Sequence, residues 1–368
     1  MVREDMRGTD HQQSHMFSYL SPETRVRKDH PLRAMRRMVD EVLRALSPQF
    51  DGMYASEGRP SIAPEKLLRA QVLQMLYSIR SERLLMEEID YSILFRWFVG
   101  LNLDEEVWDA TVFTKNRDRL LEAEIAKLFL AEVVEQAREK GLTSDEHFTV
   151  DGTLLEAWAG AKSFQRKDGK NPPSTDDDPG NPTVNFHGEQ RSNRTHESKT
   201  DPEAKLARKG EGKEAKLSYS GNLLVENRNG LIVNAMAWEA NGTAERDTAL
   251  VMLEQIPGQR QLTVGGDKGF DTADFIAECR HMQVTPHVAQ NHKRSGGSAL
   301  DERTTRHEGY GVSQRKRKRI EECFGWLKTV ALLRKVRHRG LFKVDWVFTF
   351  ACATYNLVRL RNLSVQAA

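Results

Sequence analysis

The chain has 368 residues, 39% hydrophobic and 29% charged, with a mean hydropathy of -0.61. That supports a sizeable buried core and two or three domains, and it argues against a membrane-embedded or disordered chain. The opening MVREDMRGTD lacks an apolar run, so no secretory signal is expected, and the most apolar stretch, VFTFACATYNLV, is too short to span a bilayer. Cys279, Cys323 and Cys352 are far apart with no C-x-x-C pair, which argues against a disulfide framework or zinc ribbon and makes a reducing cytoplasm the expected location. The net charge of +2 hides a local excess: Gln314 to Arg339 holds ten Lys or Arg against Glu321 and Glu322, the footprint of a polyanion partner.

The N-terminal third reads as helices. In residues 64–80, Pro64 sits at a first-turn position and Leu67, Leu68, Val72, Met75, Leu76 and Ile79 recur at helical spacing. A second helical stretch, EEIDYSILFRWFVGL, ends near Gly100, and a third runs from the N-cap Asp109 to Gly141. Thr114, Lys115, Asn116 and Arg117 are expected on its exposed face, either in a helix-turn-helix variant or on a plain packing bundle. At Glu146 the period changes to 2: Phe148 and Val150 alternate with Thr149 and Asp151, as in a half-buried strand.

From about residue 160 to 216 the chain is polar and rich in Gly, Pro, Lys and Asp, and a mobile, irregular insertion is expected. A hairpin follows around Arg228-Asn229-Gly230. Then come a helix (GTAERDTALVMLEQI), a strand (QLTVGGD), a helix from Thr272, a strand (VTPHVA), and closing helices over 314–330 and 344–363. That order is the one expected of a ribonuclease-H-like α/β core behind an all-helical N-terminal region. It divides the chain into residues 1–143, all helical, and 144–368, the α/β core with the insertion.

Three carboxylates stand where metal ligands would be needed. Asp151 lies on the polar face of the first strand, Asp267 ends a strand in VGGDKGFD, and Glu321 is on the helix with the basic run. At 100° per residue with Ile320 at zero, Cys323, Phe324 and Leu327 form an apolar stripe. Arg317, Lys328, Glu321 and Gln314 then follow along one edge at about 60–120°, and Glu322 lies opposite at about 200°. This predicts a buried-edge Glu321 and a solvent-facing Glu322. Two divalent ions held by such acids are suited to phosphodiester cleavage, although each acid alone is more often structural, Asp151 capping a turn or Asp267 closing an Asx-turn.

Taken together, GRPSIAPEKLLRAQVLQMLYSIRSERLLMEEI, TVDGT, ENRNGLIV, GDKGFD and RIEECFGWLK resemble the DDE-type bacterial insertion-sequence transposases of the insertion-sequence-five family, over nearly the whole chain. The family's third-acid signature, Tyr-x2-Arg-x3-Glu-x6-Lys, reads here as Gln314, Arg317, Glu321 and Lys328, with Gln in place of Tyr. The resemblance implies that Asp151, Asp267 and Glu321 are catalytic and bind two Mg2+ ions, with Mn2+ as a substitute. It implies that Arg317 and Lys328 contact phosphates, and that the N-terminal helices recognise terminal inverted repeats. DNA contacts are expected from Gln314, Arg315, Lys316, Lys318 and Arg319, and from Lys115 and Arg117.

The expected partners are double-stranded element ends and target DNA, with a homodimer or larger assembly on DNA. A nuclease without strand transfer and a catalytically silent inhibitor of transposition are the alternatives. RKGEGKEAK departs from a P-loop and there is no G-x-G-x-x-G, so no nucleotide cofactor is expected. Trp158 and Trp238 read as core aromatics. His187, His281, His287, His292 and His307 have no ligand spacing and read as structural or exposed, and the THESKTDPEAKL segment has no assigned role.

Overall fold

A computed structural model describes residues 20–53, 61–122, 124–168, 191–210, 212–258 and 261–366. Eight helices come first: α1 (Pro22–Arg25), α2 (Pro31–Ala45), α3 (Ser47–Met53), α4 (Pro64–Leu76), α5 (Glu82–Tyr91), α6 (Ile93–Val99), α7 (Ala110–Glu122) and α8 (Ile125–Glu139). Two expected helices are each divided. Ser92 has extended backbone and caps α6 through its hydroxyl, which separates α5 from α6. Glu124, at φ 52°, separates α7 from α8. Gly100 and Gly141 take positive φ where α6 and α8 stop, as the stop signals require.

The strands are β1 (His147–Glu156), β2 (Phe164–Arg166), β3 (His196–Ser198), β4 (Lys205–Ala207), β5 (Lys216–Glu226), β6 (Ile232–Glu239), β7 (Leu262–Gly266) and β8 (Val284–Val288). β1 lies between β5, antiparallel to it, and β7, parallel to it; β8 continues the parallel side, and β6 and β4 pair with β5. The order β6-β5-β1-β7-β8 with these directions is the ribonuclease-H-like sheet. The remaining helices are α9 (Ala244–Glu254), α10 (Ala273–His281), α11 (Glu302–Thr305), α12 (Glu308–Lys316), α13 (Ile320–Thr329) and α14 (Leu341–Gln366).

Side chains alternate along each strand, so the sheet feeds two cores. Phe148, Val150, Leu224 and Val264 meet α9 and α10 on one face. Leu155, Tyr219, Leu223 and Val225 meet α14 and the N-terminal helices on the other. The apolar stretch near the C-terminus is the middle of α14. It is buried on nearly every side, with Phe350 stacked on Trp346 at 5.1 Å and tilted against Phe129 at 5.1 Å. A helix apolar all round belongs in a core; among the described residues no helix is long and apolar enough to cross a membrane. The three cysteines are free and buried.

The span read as an irregular insertion carries three short strands among its described residues. β2 pairs with β3 in a separate two-stranded sheet, and β4 extends the main sheet. His196 stacks on Phe164 at 5.4 Å. Buried Asp201 accepts from Tyr219 Oη at 2.6 Å and from Gly340 N at 3.2 Å, and Glu203 accepts from Leu341 N at 2.8 Å. Residues 195–206 therefore place two carboxylates at the start of α14, where free amide groups favour negative charge. Residues 169–190 of the expected insertion, including His187, lie outside the described residues, as do the first nineteen residues of the expected helical region.

Candidate active site

Thr149 of β1 stands opposite Gly265 of the parallel strand β7. Asp151 and Asp267 each lie two residues further along, so the register brings them side by side on the same face of the sheet. β7 ends at Gly266, and Asp267 opens a 3-10 turn, Lys268–Phe270, accepting from Gly269 N at 2.6 Å. Asp271 closes that turn from a buried position. Its carboxylate accepts from the amides of Asn291, Ala299 and Leu300 and ties the 291–300 loop to the turn.

The half-buried Asp151 carboxyl is pushed up to about 7, first by desolvation and then by the charges of Asp267 and Glu245, against the Gly152 amide and Arg317. Glu245, on the first turn of α9, was not singled out in the sequence. Its stem crosses Gly152 so closely that a Cβ there would lie 2.5 Å from Glu245 Cγ.

The basic helix is interrupted. α12 and α13 are joined by a 3-10 turn, Arg317–Arg319, so the constant 100° step holds only within α13. There Ile320, Cys323, Phe324 and Leu327 are buried as the stripe requires. Glu321 and Glu322 are both exposed, which corrects the expectation of a buried-edge Glu321; Glu322 faces solvent as expected. Arg317 crosses the sheet at Gly265, where an added Cβ would be 3.5 Å from Arg317 Cβ, and Lys328 donates to Thr153 Oγ1. α13 packs against β1.

Gln314, in the signature's Tyr position, donates to His287 O at 2.6 Å and accepts from Arg317 Nε at 3.1 Å. It braces the arginine from the edge of the sheet. Beside it, Ser313 Oγ lies 2.6 Å from both His287 Nδ1 and His147 Nε2, which clamps α12 to β8 and β1. His287 is thus structural. Nothing in local spacing signals this bridge, because its three members are separated by long stretches of chain.

Other expected contacts are redistributed. Arg315 and Lys318 are exposed and Lys316 is half-buried, whereas Arg319 donates to the hairpin carbonyls Asn227 O and Arg228 O. On α7, Lys115 is exposed, but Asn116 and Arg117 are buried. The Arg117 guanidinium pairs with Glu82 and Asp118, which corrects its expected place at a DNA surface. Trp158 and Trp238 are 49% and 40% exposed and not in the core; Lys335 covers the Trp158 ring at 5.4 Å. Among the described residues no group of three or more His, Cys, Asp or Glu closes into a metal cage.

Two protein families match the sequence: the Transposase domain (DUF772) over residues 20–119 and the Transposase DDE domain over residues 183–357, together about three quarters of the chain. The chain belongs to the DDE transposases. No curated protein matches it. Among solved structures, the transposase is similar to the piggyBac transposase synaptic complex with hairpin DNA, at 10% identity and TM-score 0.40 over 92% of this chain and 76% of that one. It is also similar to the Mos1 strand transfer complex, at 12% identity and TM-score 0.19 over 80% of this chain and 86% of that one.

Proposed function

We propose that this transposase acts on the terminal inverted repeats of an insertion sequence of the insertion-sequence-five kind, cutting at the element ends and joining the 3′-hydroxyls to target DNA. Asp151, Asp267 and Glu321 are its acidic residues, and Arg317 and Lys328 contact the phosphates. The observation that supports this reading is the register of β1 and β7, which brings Asp151 beside Asp267 with Arg317 crossing the same face of the sheet.

The donor chemistry fits a hard divalent cation. The candidate ligands are all carboxylate oxygens, and Asp151 has the like charges of Asp267 and Glu245 near it, an arrangement that a divalent cation would neutralise. Mg2+ held by these residues, with Mn2+ as a substitute, would supply the charge that stabilises both the attacking and the leaving oxygen. Arg317, oriented by Gln314, and Lys328, oriented by Thr153, hold phosphate oxygens along one side of the acids and fix the scissile bond in line. Because both cutting and joining are displacements at phosphorus, the same residues serve each step with water and then a 3′-hydroxyl as nucleophile. Two ends must be handled together, so a dimer or larger assembly on DNA belongs to this reading.

The test is Mg2+-dependent nicking of a duplex carrying the inverted repeat that flanks the coding sequence, beside a salt-titrated binding assay. Asp151→Asn, Asp267→Asn and Glu321→Gln should each abolish nicking while end binding persists. Nicking by Glu321→Gln at the unmutated rate would remove it from the set, and nicking by Asp151→Asn would overturn the site. Products with nicked ends but no joined strands would favour the nuclease alternative.

A further inference from the structure

The basic run continues past α13 into the loop 330–340, whose Arg334, Arg337 and Arg339 have no role in the site above. The loop's backbone is fixed. Glu156 N donates to Arg334 O at 3.1 Å, Val336 N donates to Glu156 O at 2.8 Å, and Lys335 forms a parallel bridge with Glu156. The loop thus extends the end of β1, five residues beyond Asp151.

It is also stitched to the turn after α4. Ser78 Oγ donates to Val330 O at 2.7 Å, and Arg337 Nη1 donates to Ile79 O at 3.5 Å. Each side of this seam holds a non-glycine residue in the left-handed region, Ser78 at φ 53° and Leu332 at φ 59°. Such backbone is retained where its surroundings over-determine it.

The seam forms a cleft whose lining includes Arg80, Glu82, Arg117, Lys335 and Arg337. Its one acid, Glu82, is taken by Arg117 and Thr114, and Lys335 is paired with Glu156 at 3.1 Å. Arg80 and Arg337 remain, both exposed and with no carboxylate partner among the described residues. They lie close enough that Arg80 lowers the proton affinity of Arg337, after desolvation. On the side of the active site, Arg334 and Lys209 act on Lys328 in the same way, also after desolvation. Basic side chains therefore run from Lys328 through Arg334 to the seam.

Resting on the transposase reading, we propose that the Arg80–Arg337 cleft is a second phosphate site, holding the backbone of the same duplex away from the scissile position. Five residues of strand separate the loop from Asp151, about 16 Å, and that is roughly half a turn of B-form DNA. The cleft thus couples the N-terminal helices to the catalytic sheet through the DNA that both touch.

The experiment is a salt titration of the full chain binding a random-sequence duplex, with hydroxyl-radical footprinting on the element-end duplex. Arg80→Ala/Arg337→Ala should lower the slope of log affinity against log salt by roughly 1.8, at 0.9 per phosphate, and erase protection half a turn from the cut while leaving it at the cut. Arg80→Lys/Arg337→Lys should keep the slope. Arg80→Ala alone leaves the hydrogen bond from Arg337 in place and should lower it by roughly 0.9, so a folding defect in the double variant leaves the test intact. An unchanged slope in these variants, with Arg317→Ala lowering it, overturns the second site and keeps the transposase reading. A wild-type chain with no salt-dependent DNA binding overturns both.

Discussion

Acid should withdraw from this protein the stability that neutral His287 contributes, while Asp151, whose carboxyl is pushed up to about 7, works in the opposite sense and equally in the wild type and in a His287 variant. The ring is buried, with His147, His307 and the edge of the Tyr310 ring around it and Lys316 near His147. Desolvation first, then His147 and His307, push its pKa down to about 4. The Ser313 hydroxyl has a single hydrogen: it donates to one imidazole and accepts from the other, and protonating both rings leaves that hydrogen without a partner. Because the folded pKa lies below the ordinary 6.5, the unfolded chain binds more protons between about pH 6.5 and pH 4, and stability falls as pH drops through that window. The full loss is about 3 kcal/mol, and about 2 kcal/mol is gone by about pH 5. His338, also held down to about 4, acts with the same sign. The assay is urea unfolding from pH 8 to pH 5 of the wild type and His287→Asn, whose amide can replace Nδ1 toward Ser313. The wild type should lose stability more steeply on acidification, and parallel curves for the two proteins would refute the argument.

Two further outcomes follow from packing. Gly221→Ala would put a methyl 2.9 Å from two ring carbons of Phe348 and 3.0 Å from Leu155 Cδ1, costing about 1–3 kcal/mol by denaturant unfolding, and Phe348→Leu should recover part of the loss. Arg117→Ala should destabilise by about 3–5 kcal/mol by leaving Glu82 without its guanidinium in a largely buried position, while the DNA-binding salt slope stays at the wild-type value; a lowered slope would return Arg117 to the DNA surface.

The parts of the fold that were legible in the sequence are those with enough residues to show a period. β1 and β5–β6 announce themselves by alternation and the Asn229-Gly230 turn, and Asp267 by the glycines ahead of it. β2, β3 and β4 have three residues each, too few for a period to stand out from a polar background. The basic helix was placed correctly, but extending one wheel across its 3-10 interruption overstated the burial of Glu321. Charge alone misplaced Arg117, because an arginine with two acids beside it can be an interior ion pair, and Glu82 is a whole helix away in sequence. The two tryptophans were misread in the opposite direction: residue type suggested burial, while their places at strand ends leave them open to solvent. Glu245, Asp201 and the Ser313 bridge depend on tertiary contacts with no local signature.

α14 comes far downstream of the helices it packs against, yet one face of the sheet and the N-terminal bundle share it as their common wall. A ribosome that has not yet passed Leu341 holds a chain with two unpaired apolar surfaces and no means of closing either. Every acidic residue of the site has been synthesised by then, but the strand that presents Asp151 lacks the backing that keeps it in place. A premature stop in this region should therefore yield material for proteases and chaperones, not a shortened protein that still cuts DNA.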